Sequence, residues 1–112
     1  MIRRLGVAGA VLALAACTSP NDLMKKDPVF FGHTTKSPKS YAQCVADGWR
    51  GQGEQVRVVA IDNGYDVLQD ATLGLSSALR VIQYANGTVD IRMVSRSTYG
   101  AQNLVQTANL CM

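Results

Sequence analysis

The chain holds three cysteines, Cys17, Cys44 and Cys111, and a single histidine, His33. Thiolate and imidazole are the groups from which metal sites, redox pairs and nucleophilic dyads are built. Their spacing here argues against all three. No Cys-x-x-Cys is present for dithiol exchange or zinc binding. His33 stands between Gly32 and Thr34 in a stretch without a periodic pattern, where nothing holds it as a base, so it reads as a solvated linker residue. Asp62, Asp66 and Asp70 recur every fourth residue, as ligands on one helix face would. An Asn63-Gly64 turn between them breaks any such helix, and Asp62-Asn63-Gly64 lacks the ligand order and closing Glu of a calcium loop. They read as turn and edge charges, and neither metal nor cofactor is expected. Gly48, Gly51 and Gly53 follow a helical pattern, whereas phosphate-binding glycines follow a strand and open a helix.

The bulk numbers set the scale. A chain of 112 residues, 47% hydrophobic and 17% charged, is a single-domain chain of ordinary composition. Its formal net charge of +3 owes much to Arg3 and Arg4 near the start. Without them basic and acidic side chains nearly balance, and the basic patch of a nucleic-acid binder is missing. Those two arginines precede an apolar run, Leu5 to Leu14, that is too short to span a bilayer and has the length of an export signal. Leu14-Ala15-Ala16-Cys17 then resembles the lipobox of bacterial lipoproteins. That resemblance implies cleavage before Cys17, diacylation of its sulfur and acylation of the new amine. More than one acyl chain gives firm attachment to a bilayer. Thr18, rather than Asp, after the cysteine implies sorting to the inner leaflet of the outer membrane, facing the periplasm.

With Cys17 used in this way, Cys44 and Cys111 remain in an oxidising compartment and are expected to form one disulfide. Closing a loop of that length is worth about 4 kcal/mol in the chain-entropy picture. The expected organisation is a signal peptide over 1–16, a flexible tether over 17–36 and a small stapled domain over 37–112.

Within the domain, Ser37-Pro38 reads as an N-cap with proline at the first helical position. Tyr41, Cys44, Val45, Gly48 and Trp49 follow on one helical face, so Tyr41 and Trp49 read as core rather than a ligand platform. Gln55–Ile61 reads as a strand, and Asn63-Gly64 as a two-residue hairpin turn into a strand over Tyr65–Gln69. Leu73–Ser77 is either a loop or a short irregular strand. Ala78–Tyr84 and Thr88–Val94 are strands joined at Asn86-Gly87. A two-residue turn there pairs Tyr84 with Val89 and Ile82 with Ile91 as one apolar face, leaving Leu79 and Val81 on an opposite, mixed face beside Arg92. Ser97 or Thr98 caps a last helix, on which Ala101, Leu104, Val105, Ala108 and Cys111 share a stripe. Two helices that each turn a cysteine inward fit side by side on one sheet face. The expected fold is α+β: a two-layer sandwich of order α-β-β-β-β-α, with an antiparallel sheet of about four strands and both terminal helices on one face.

Beyond the lipobox, Thr34 to Pro38, Ala42-Gln43-Cys44-Val45, Trp49, Gly87-Thr88 and Cys111 resemble small uncharacterised lipoproteins of Gram-negative bacteria, in which a Cys/Trp helix precedes β-hairpins and a near-terminal cysteine. The likeness covers roughly residues 34–111. It implies fold and location, and it transfers no activity.

No held base or concave catalytic set is legible, so a non-catalytic protein-interaction or envelope-assembly module is expected. Its partners are the bilayer, through Cys17, and an envelope protein. The surfaces expected to touch that partner are Val29-Phe30-Phe31 and the mixed sheet face at Leu79 and Val81. The Val29–Phe31 patch can also dock on the domain or the membrane interface. The alternative is a module that binds a small ligand or a cell-wall polymer through Lys36, Lys39 and aromatic residues.

Overall fold

The computed structural model describes residues 19–97 and 101–112; the leader, Cys17, Thr18 and Thr98 lie outside the described residues. In chain order the elements are α1 (Pro20–Leu23), β1 (Phe30–Thr34), α2 (Pro38–Gly51), β2 (Gln55–Ile61), β3 (Gly64–Ala71), β4 (Gly74–Gln83), β5 (Val89–Ser95) and α3 (Gln102–Leu110). The strands form one antiparallel sheet in the order β1-β5-β4-β3-β2. The α+β architecture and the antiparallel sheet are as expected, but the sheet has five strands rather than about four, and α1 and β1 precede the expected α-β-β-β-β-α order.

The additional strand lies within the stretch expected as a tether. β1 pairs Phe30–Thr34 with Val89–Met93, and its residues alternate between half-buried and exposed. Five residues interrupted by Gly32 are too few for that period of two to stand out in the sequence. At the other end of the sheet, Leu73–Ser77 resolves into a hairpin tip and the start of β4, with Ala71 opposite Gly74.

Both other hairpins turn at a place shifted by one residue from expectation. Ile61 lies opposite Gly64, so the first loop is Asp62-Asn63, and Asn63 takes the positive φ of 64°. Asparagine visits that region more readily than most residues. In the second, Tyr84 N–H donates to Thr88 O (2.8 Å) and Gly87 N–H to Tyr84 O (2.9 Å), leaving Ala85–Gly87 as a three-residue loop. Gly87, at φ 89°, supplies the left-handed residue that such loops need. Gln83, not Tyr84, therefore faces Val89, and Val81 faces Ile91. A one-residue slip exchanges the two faces of a strand. Leu79 and Val81 are fully buried beneath the helices, and Ile82 and Tyr84 turn outward. That corrects their expected role as an exposed mixed face.

The helices cover the face that carries Val67, Leu79, Val81, Ile91 and Met93. Ser37 caps α2 by accepting from Ser40 N–H (3.1 Å), with Pro38 behind it, as the sequence predicts. No side chain caps α3, which starts after Ala101 rather than at Ser97. A disulfide and two buried hydrogen bonds join the helices, and Gln52 at the end of α2 adds another hydrogen bond, Nε2 to Thr107 Oγ1 (2.6 Å). Cys44 and Cys111 form a disulfide, Trp49 Nε1 donates to Leu104 O (3.1 Å), and Tyr41 Oη donates to Ala108 O (2.6 Å). Ala108 is in the last turn of α3, so the tyrosine satisfies a carbonyl the helix itself leaves over. Burial pushes the Tyr41 phenol well above its ordinary pKa and keeps it a donor. Gly48 lets the helices approach, because a Cβ there would run into the Thr107 methyl. Among the described residues no helix is long and apolar enough to cross a membrane.

Candidate functional site

The second sheet face is built from the alternate residues of the same strands. Across it run Phe31, Arg92, Arg80, Asp66 and Val59, one from each strand. A charged row in mid-sheet needs partners, and each member has them. Arg80 donates to both Asp66 oxygens, Nε to Oδ1 and Nη2 to Oδ2, at 2.8 Å each. That hydrogen-bonded carboxylate raises the Arg80 pKa above its ordinary value against the opposing effect of burial. The Asp66 side chain is only 3% exposed. Arg57 holds Asp70 in the same fashion at 2.7 and 3.0 Å, and that hydrogen bond likewise raises the Arg57 pKa. Two of the three regularly spaced aspartates thus serve guanidinium pairs.

The arginines also fix the segment before β1. Arg80 Nη2 donates to Asn21 Oδ1 (2.9 Å), while Arg92 donates to Met24 O (2.6 Å) and Lys26 O (2.8 Å). Leu23 and Met24 bury against Leu68, Leu75, Ala78 and Val94, forming a second, smaller core. Ser19 caps α1 by accepting from Asp22 N–H (3.1 Å). Residues 19–26 are therefore bound to the domain rather than forming part of a loose spacer. Apolar residues placed alternately on both faces of β3, β4 and β5 explain how one sheet carries two cores.

Beside this covered half lies an open one. A cleft of about 410 Å³ is lined by Pro28, Phe31, His33, Tyr84, Asp90 and Arg92. Phe31 is 75% exposed and Tyr84 51% exposed. His33 Nδ1 and Asp90 Oδ1 lie 2.5 Å apart as an exposed pair across β1 and β5. His33 is thus on a strand beside Asp90 rather than in a linker, and its side chain stays exposed to solvent, as expected. The arrangement combines two accessible aromatic rings with adjacent charge. Such a surface suits amphipathic contact, where aromatic rings supply area at low entropic cost.

Of the five expected contact residues, only Phe31 is left widely open. Val29 and Phe30 are half-buried against the main core, and Leu79 and Val81 are inside it. Tyr84, His33 and Asp90 take the places that sequence reasoning assigned to Leu79 and Val81. Neither placement had a usable signal in the sequence: Phe30–Thr34 is too short for its alternation to stand out, and Asn86-Gly87 does not say that its loop holds three residues. Lys36, weighed as a cell-wall contact, donates from Nζ to Cys111 O (2.7 Å), and Thr34 Oγ1 donates to Met112 O (3.1 Å). Both cap the end of α3, where a cation is favourable. Among the described residues no group of three or more His, Cys, Asp or Glu side chains is placed to hold a metal ion.

The sequence matches no protein-family model and no curated protein.

Proposed function

We propose that this protein is a lipid-anchored, periplasm-facing module of the bacterial envelope that binds another envelope protein through the Phe31–Tyr84 cleft, without catalysing a reaction. One observation carries the reading: Cys44 and Cys111 are joined to each other, so Cys17, at the lipobox-like junction, is the one cysteine left for acylation. A disulfide in a small domain also fits an exported protein.

The bound segment sharpens the geometry of the anchor. Only Thr18 separates Cys17 from Ser19, where α1 is capped onto the outer sheet face. Two residue steps span at most about 7 Å. An acylated Cys17 therefore holds the domain against the bilayer surface rather than at the end of a long leash. The partner is met in the same shallow layer, through exposed aromatic residues beside the hydrogen-bonded His33 and Asp90 side chains. The engagement of Lys36 with α3 leaves the polymer-binding alternative with less of its cationic surface.

The test is photo-crosslinking in intact cells from position 31, with position 79 as the buried control. A specific adduct from 31 and none from 79 is expected. Equal labelling of abundant neighbours from both positions contradicts the reading.

A further inference from the structure

The two edges of the sheet are unlike each other. β1 is five residues long, and the Met112 side chain lies over Gly32 beside it. β2 runs for seven residues, Gln55–Ile61, in unbroken register with β3. Gln83 N–H donates to Asn63 O, so Gly64 turns its own peptide groups toward Ile61. Alternation along β2 then leaves the N–H and C=O groups of Val56, Val58 and Ala60 pointing away from the sheet. The Arg50 guanidinium reaching Val56 O at 3.3 Å confirms that direction. Val58 and Val59, on opposite faces of this edge, are 39% and 41% exposed.

Natural edges are protected by proline, lysine, bulges or an inward charge. β2 has no proline, lysine or bulge. Its single charge, Arg57, is already held by Asp70. We propose that β2 is a self-association edge, where two copies of this chain join β2 to β2, antiparallel, about a two-fold axis at Val58. That register pairs Val56 with Ala60, Arg57 with Val59 and Gln55 with Ile61, so all seven residues are matched. The outward peptide groups meet as hydrogen-bonded pairs once the exposed Arg50 side chain, 3.3 Å from Val56 O, moves aside for Ala60 N–H of the second copy. Centring on Arg57 places like charges face to face, which is unfavourable, and centring on Val59 leaves Gln55 and Val56 unpaired. The chain's own edge thus matches itself in hydrogen-bond phase, and this register keeps the two Arg57 side chains from facing each other. This inference does not depend on the lipid anchor or on the Phe31–Tyr84 cleft.

The experiment uses the full-length protein purified in mild detergent. Directly opposed residues of a hydrogen-bonded pair have Cα atoms about 5.5 Å apart, within disulfide range. V58C is oxidised with copper phenanthroline and run without reductant, with F31C and the wild type as controls. A reductant-sensitive dimer from V58C alone is expected, together with a wild-type sedimentation mass that rises with concentration. V58P removes only an outward N–H and should sediment as a monomer; V58K serves if the proline variant fails to fold. A wild type that stays monomeric, a V58C dimer no stronger than that of F31C, or a V58C adduct with a different protein overturns the proposal.

Discussion

The two faces of this sheet come from the same strands and do opposite things. The helix-covered face is sealed by apolar side chains, by a disulfide and by buried hydrogen bonds from Tyr41 and Trp49 of α2 to carbonyls of α3. The outer face is held by guanidinium groups that bind carboxylates and backbone carbonyls, and half of it stays open. One face is closed by its helices, and the other is closed over one half and leaves Phe31 and Tyr84 accessible on the other. Which residue serves which purpose is decided by hairpin register, not by hydrophobicity. Val81 and Ile82 are adjacent and equally apolar in kind, yet Val81 is buried in the main core and Ile82 is on the outer side.

Variants that strike the sealed face should cost most. Removing the disulfide with the pair C44S and C111S is expected to lower unfolding free energy by about 4 kcal/mol, read by urea denaturation. W49A should cost about 4 kcal/mol through the cavity it opens, whereas W49F, which retains most of the ring volume, isolates the hydrogen bond to Leu104 at about 1 kcal/mol. A W49F loss as large as that of W49A would deny the packing role of the indole.

On the outer face the effects should shrink and become local. D66A strands Arg80 and is expected to cost about 3 kcal/mol, with residues 19–26 exchanging amide hydrogens faster than the helices do. R92A frees the carbonyls of Met24 and Lys26; about 1 kcal/mol is expected, with quicker tryptic cutting after Lys25 and Lys26. If these variants loosen α2 and α3 equally, the two faces are not separate units. Smallest of all, F31S with Y84S should change stability by no more than about 0.5 kcal/mol while abolishing partner capture.

Legibility in the sequence followed the strength of local signals. Ser37-Pro38 and the stripe from Tyr41 to Trp49 placed α2 within a residue or two, because capping and a period near 3.6 are both local. The disulfide was readable from cysteine number and from two inward stripes. Register was not, because Asn-Gly marks a turn without saying how many residues it spans. At Asn86-Gly87 the chain used a three-residue loop, and that single residue moved Leu79 and Val81 inside and Tyr84 outside. β1 was hidden for another reason: Phe30–Thr34 is too short for its alternation to rise above a proline-bearing, polar surrounding stretch. The guanidinium row was also invisible, since Arg80, Asp66 and Asn21 meet only after the sheet has formed and α1 has folded back on it.

The proposed location of this protein depends on acylation of Cys17. Its most direct measurement is the mass of the N-terminal peptide of the protein purified from membranes of its native host. A chain that begins at residue 17 with acyl groups on the sulfur and the amine is expected. A mature chain with an unmodified residue 17 thiol, recovered from the soluble fraction, would contradict it.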